Sequence, residues 1–227
     1  MTRHAPPKPT DDDTTRDRLV RAAGGEFSEH GFARARVRAI CDAAGANVSA
    51  VKYHFGDKEG LYRAVWETAA RQMLEAEPMP RLCDRNDPRE TLSFFVAWFM
   101  RLVLLEKDKH PWAGCLMAHE SVEPTGALDL FVKYCAGPIR DELRRIVRAN
   151  VGPRPTDKVV DDLTNGIVAL CVNPKHSHEV LGRLGFPPPN NKAAINRMAK
   201  TLARFALAGL DGFAPGSENR EQKTGAR

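Results

Sequence analysis

Apolar residues recur every three or four positions through almost the whole chain, and strand-like alternation between turn residues is nearly absent. The pattern predicts an all-α protein punctuated by Gly and Pro. A first helix should start at Thr14 or Thr15, carry Leu19, Ala23 and Phe27 on one face, and stop at Gly31. Gly24 and Gly25 each cost about 1 kcal/mol in an exposed helix interior, a cost that a close helix crossing would explain. A second helix is expected from about Arg36 to Ala44, burying Val37 and Ile40 and ending at Gly45. A third runs from an N-cap at Asn47 to about Phe55. A fourth starts near Asp57, whose carboxylate can cap free N–H groups, and carries Leu61, Val65, Ala69 and Met73 toward Pro78. Beyond Pro88, helices are expected at about 88–107, 111–121, 125–150, 156–172, 176–184 and 191–213. Pro111, Gly126, Gly152–Pro155, Asn173–Pro174 and Pro187–Pro189 mark the breaks.

Composition alters this picture little. The chain has 227 residues, is 42% hydrophobic and 28% charged, and carries a net charge of +5. That balance permits a nucleic-acid partner without establishing one. Residues 11–60 hold eight Lys or Arg against nine Asp or Glu, yet within residues 34–58 Arg34, Arg36, Arg38, Lys52 and Lys58 face only Asp42 and Asp57. The positive charge is local to one short segment. The five cysteines are scattered without a Cys-x-x-Cys pair, and four of them lie in apolar stretches where a reduced thiol acts as a small hydrophobe. His176 and His178, two residues apart, share no helix face and have no supporting ligands, so neither a metal nor another cofactor is expected. No apolar run reaches membrane length and the start lacks a signal-like apolar core, so a cytoplasmic protein is expected. Residues 1–13 read as a disordered arm and 214–227 as a disordered tail.

The chemistry concentrates in residues 34–62. Two short helices separated by Gly45-Ala46-Asn47 match a helix-turn-helix. On the second of them Val48, Val51 and Phe55 should pack inward, leaving Ser49, Lys52 and Tyr53, with Ala50 beside them, on the opposite face. Such a helix fits the major groove, where Lys can reach guanine acceptors and Ala can touch a thymine methyl. Tyr53, His54 and Lys58 suit phosphate contacts at the exit of the groove, and Arg36 and Arg38 suit the flanking backbone. Asn47 completes the candidate DNA-binding set.

The wording of this segment resembles the TetR family of transcriptional regulators. The resemblance rests on Tyr53-His54-Phe55-Gly56-Asp57-Lys58-Glu59-Gly60-Leu61-Tyr62, on Phe27 with Glu29-His30-Gly31-Phe32, and on Val37-Arg38-Ala39-Ile40 through Ala43-Ala44-Gly45. The turn wording Gly45-Ala46-Asn47-Val48 is similar to the CecR branch. Ala35 and Lys52 depart from the family, which often has Thr and Tyr there. The resemblance implies a DNA-binding domain over residues 14–60 and a larger helical ligand-binding and dimerisation domain over residues 61–213. It also implies a homodimeric repressor released from a pseudo-palindromic operator by an unidentified small-molecule effector.

In the C-terminal part, Leu116-Met117-Ala118-His119-Glu120 weakly resembles the CecR C-terminal domain. The aromatic stripe Phe95, Trp98, Phe99, Trp112, Phe131 and Tyr134 can line a pocket or simply fill a core, and His119 and Glu120 can orient a ligand or pair internally. For dimerisation the two apolar series are Val159, Val160, Leu163, Ile167, Leu170 and Ile195, Met198, Leu202, Phe205, Ala206, Leu210. They can equally be internal core. Two rival readings stand beside the regulator. One is a helical enzyme using His110, His119, Glu120 or a metal at His176 and His178, for which no nucleophile-base set is present. The other is a dimeric small-molecule adaptor that no longer binds DNA.

Overall fold

The structure, a computed structural model, describes residues 14–76, 78–84, 86–105 and 112–215. The expected arm and most of the expected tail lie outside them, as do His110 and Pro111. Among the described residues there is no strand. The helices are α1 (Thr15–Arg34), α2 (Val37–Ala44), α3 (Val48–Phe55), α4 (Lys58–Ala76), α5 (Pro88–Leu104), α6 (Ala113–Val122), α7 (Ala127–Phe131), α8 (Gly137–Val151), α9 (Asp157–His176), α10 (His178–Arg183) and α11 (Lys192–Asp211). A 3-10 turn covers Leu82–Asp84 and a π turn Val132–Ala136.

Two expected boundaries are corrected. The helix expected over 125–150 is broken by the π turn, which immediately precedes Gly137-Pro138. In a regular helix the proline ring would collide with the carbonyl four residues back, and a wider turn relieves that clash. The break expected at Asn173–Pro174 does not occur: α9 continues to His176, with Pro174 buried and the Ser177 N–H closing on the Asn173 carbonyl. Near a helix end, a proline forfeits a single backbone bond, and burial of its ring offsets the loss.

The contacts divide the chain into two compact units that do not follow chain order. The first joins α1–α4 with α6, α7 and the π turn, so α6 and α7 belong with the helix-turn-helix rather than with the segments on either side of them. The reason lies in the core. Leu19, Ala23 and Phe27 from α1, Ile40 from α2, Val51 from α3 and Leu61, Val65 and Trp66 from α4 surround Leu116 of α6 and Ala127 of α7. Phe27 meets the edge of Tyr62 at 4.7 Å between ring centres, and Trp66 meets Phe131 at 5.5 Å. Trp112, at the entry to α6, lies against Gly24, where a Cβ would collide with the indole. That accounts for Gly24 by a side-chain approach; Gly25 meets nothing.

The second unit packs α5 against α11, α8 and α9. Asp87 caps α5 by accepting from the Arg89 N–H at 2.8 Å, with Pro88 in the first turn. Phe95, Trp98 and Met100 of α5, Leu143, Ile146 and Val147 of α8, and Ile195 and Ala199 of α11 are fully buried. Arginines at every fourth position of α8 meet acids of α9: Arg140 and Arg144 reach Asp161 at 3.0 and 2.8 Å, and Arg148 reaches Asp157 at 2.6 Å. The hydrogen bond from Arg144 foremost holds the Asp161 carboxyl below its ordinary value, and that from Arg148 does the same for Asp157.

Candidate nucleic-acid interface

The turn between α2 and α3 is set by Gly45 and Asn47. Gly45 takes the left-handed conformation at φ 61° that ends α2, and the Ala46 N–H then returns to the Cys41 carbonyl at 2.9 Å. Asn47 caps α3, its side chain accepting from the Ser49 N–H at 3.1 Å. The entry to α2 is fixed from α1: Glu26 accepts from the Arg36 backbone N–H at 2.9 Å. Arg18 donates to the Ala44 carbonyl at 3.2 Å, tying the end of α2 to the start of α1.

Held this way, α3 turns Val51 into the core, with Ala50 and Phe55 partly buried against it. Ser49, Lys52, Tyr53 and His54 are exposed, Tyr53 at 85%. An α-helix carrying these groups on one side has the diameter and donor set for a major groove. Arg36 and Arg38 are exposed as well.

Three residues of this segment differ from expectation in detail. Val48 is 51% exposed rather than packed, because it occupies the first helical position just past the cap. Ala50 leans toward the core rather than standing with Ser49 and Lys52. Lys58 is folded back: its ammonium lies 4.9 Å from the centre of the Phe32 ring and donates to the Ala33 carbonyl at 3.2 Å. Partial burial lowers its pKa, against the opposing pull of Glu26.

The candidate ligand residues are divided between the two units. Phe95, Trp98 and Phe99 are core residues of the second unit, in contact with one another at 5.4 to 6.2 Å between ring centres. Trp112, His119, Glu120, Phe131 and Tyr134 belong to the first unit. There Trp112 and Phe131 pack against the core, and Tyr134 is 40% exposed beneath the Lys133 ammonium. Glu120, 1% exposed, accepts from the Tyr62 hydroxyl at 2.8 Å and from the Thr125 hydroxyl and N–H at 2.7 Å each. Burial pushes the Tyr62 hydroxyl pKa up. His119 Nε2 contacts the Ser28 carbonyl at 3.1 Å, and its ring lies over Gly31, where α1 kinks at φ 70°. His119 and Glu120 border a cavity of about 130 Å³ with Gly31, Phe32, Ala33, Glu123, Pro124 and Thr125. That volume is below the roughly 300 Å³ at which drug-sized ligand sites begin. The Tyr62–Glu120 and Trp112–Gly24 contacts span dozens of residues, and no local sequence signal announces them.

Comparison with known proteins decides the family. Residues 19–65 match the bacterial regulatory proteins of the tetR family, and residues 88–210 match the C-terminal domain of the HTH-type transcriptional dual regulator CecR. The chain belongs to the TetR family and carries a CecR-type C-terminal domain. It is 30% identical over 147 residues to CecR of Shigella flexneri, covering 59% of this chain and 63% of that protein. It is 33% identical over 110 residues to the transcriptional repressor NicS of Pseudomonas putida, covering 48% and 50%. The matched stretches thus span less than two thirds of these relatives. Among solved structures it is similar in fold to the flavonoid-responsive regulator FrrA, with 20% identity, TM-score 0.62, and coverage of 86% of this chain and 96% of that one. It is also similar to the TetR family transcriptional regulator PfmR from Thermus thermophilus, with 18% identity, TM-score 0.57, and coverage of 86% and 96%. Within the TetR fold, the helix-turn-helix match ends inside α4, whereas α6 and α7, inside the CecR-type match, pack with the helix-turn-helix.

Among the described residues no helix is long and apolar enough to cross a membrane, and no cluster of His, Cys, Asp or Glu could hold a metal ion. Cys41, Cys135 and Cys171 are buried, and burial pushes the Cys171 thiol up to about 12. Cys83 and Cys115 are exposed. Cys115 corrects the expectation that thiols in apolar helices lie inside: it stands on the outer face of α6 while Leu116 takes the inner one.

Proposed function

We propose that the protein is a sequence-specific transcriptional regulator that acts as a homodimer, represses by occupying a pseudo-palindromic operator, and is released by a small-molecule effector. The observation that carries the reading is the exposed side of α3, where Ser49, Lys52 and Tyr53 project together from a capped, core-anchored helix. Lys52 and Ser49 read base edges, while Tyr53, His54, Arg36 and Arg38 hold phosphates. Asn47 acts through the cap that orients α3, and Lys58 through its hold on the Ala33 carbonyl.

Dimerisation is supported by how the two apolar series of the second unit divide. Val160, Ile167, Ile195, Ala206 and Leu210 are buried in the protomer, whereas Leu163, Leu170, Met198 and Leu202 are half-buried and Phe205 is 66% exposed. The buried stripe of α9 and α11 fills the core, and the apolar flank beside it is available to a second copy, giving a four-helix interface. Paired recognition helices would then enter major grooves about 34 Å apart. An effector that favours a conformation with a different helix separation shifts the population off DNA, and a tenfold loss of operator affinity needs only about 1.4 kcal/mol of differential binding.

The test is a gel shift of the intergenic duplex beside the protein's own gene, against a scrambled duplex of equal composition. Retardation of the first at concentrations that leave the second free is expected. Equal binding to both, or none at low salt, would overturn the reading.

A further inference from the structure

Beyond the helix-turn-helix, one cation is placed by the rings at the end of α3. Arg16 lies in the first turn of α1, is exposed, and among the described residues forms no ion pair. Its guanidinium carbon sits 5.4 Å from the centre of the Phe55 ring. Phe55 in turn lies 6.0 Å from the His54 ring, and His54 stands edge-on to Tyr53 at 4.9 Å. Three consecutive rings at the exit of the recognition helix thus end in a guanidinium supplied by another helix. The neighbouring acid is occupied elsewhere: Asp17 accepts from the Thr14 hydroxyl at 2.6 Å. Arg18 is already spent on the Ala44 carbonyl, and Arg34 on that of His30.

A ring beneath a guanidinium engages its face and leaves its edge, with the N–H fork, free. That fork matches two oxygens of one phosphate. We infer that Arg16 is a DNA-backbone clamp: held over the Phe55 ring, it takes the phosphate flanking the exit of α3, and so extends the contact surface from α2 and α3 onto α1. The inference rests on the proposed regulator function and deepens it. Arg16 adds affinity and register without reading a base.

The experiment measures Kd for the upstream duplex and for the scrambled duplex across a salt series, using the full chain, Arg16→Gln and Arg16→Lys. Arg16→Gln is expected to lose about tenfold on both duplexes, with the slope of log Kd against log salt reduced in magnitude by about one. Arg16→Lys should keep the slope and recover only part of the affinity, because an ammonium lacks the fork. Circular dichroism melts of each variant accompany the titrations, since a merely structural tie would lower Tm and leave the slope alone. An unchanged slope for Arg16→Gln, or a loss confined to one duplex, would overturn the assignment. Failure of the unaltered protein to bind either duplex would instead remove the regulator reading itself.

Discussion

Tyr62→Phe is the cleanest probe of how α6 is fastened to the helix-turn-helix. The hydroxyl donates to Glu120 at 2.8 Å inside the core, and Tyr62 and Glu120 are each 1% exposed. Phe retains the ring contact with Phe27 and removes a single donor. Glu120 keeps the Thr125 hydroxyl and N–H. A buried acceptor deprived of one of three donors costs about 1 to 3 kcal/mol. Glu120→Ala is harsher, because it leaves both the Tyr62 hydroxyl and the Thr125 N–H without their acceptor and opens a void. Its expected cost is about 3 to 5 kcal/mol, within the range for breaking a buried polar network. The two losses must not add. In a Tyr62→Phe/Glu120→Ala cycle the coupling should reach about 1 kcal/mol or more, since the second substitution removes what the first has already lost. Urea unfolding followed by circular dichroism and tryptophan fluorescence supplies the numbers. A Tyr62→Phe variant within about 0.3 kcal/mol of the parent, or additivity within that margin, would refute the hydrogen-bonded link.

Other outcomes follow from the same geometry. Gly24→Ala should destabilise by about 1 to 3 kcal/mol because its Cβ meets the Trp112 indole, while Gly25→Ala, with open space, should stabilise by up to about 1 kcal/mol; paired thermal melts check both. Lys52→Ala should change which duplexes are preferred, whereas Arg38→Ala should weaken binding to all of them, and competition gel shifts separate the two roles. Asp157 and Asp161 have folded-state pKa values below the ordinary 3.8, so their contribution is present above that value and is lost as pH falls through the lower folded values. A Tm profile should therefore fall below about pH 4, and Asp161→Asn should flatten that fall.

Most of the helix-turn-helix could be read from local wording, because its determinants are local. The Gly45 stop, the Asn47 cap and the three-residue rhythm of α3 are decided within a few positions of one another. What escaped was tertiary. Nothing near Glu120 in sequence says that its partner is Tyr62, and nothing near Trp112 says that it occupies the space left by Gly24. The aromatic residues were ambiguous for a related reason: a stripe of aromatics has one sequence pattern whether it lines a cavity or fills a core. Phe95 and Trp98 fill a core. The apolar series of α9 and α11 were legible as helical faces, but only burial separates Ile195, which is inside, from Phe205, which is not.

Selection from a pool of randomised duplexes by the purified protein tests base reading by the exposed side of α3. Enrichment of a two-fold-related sequence is expected, with half-site centres about one helical turn apart, or a whole multiple of it, and with Lys52→Ala shifting the enriched bases. A pool that emerges as random as it began, or an enriched motif that Lys52, Ser49 and Tyr53 substitutions leave untouched, would contradict it.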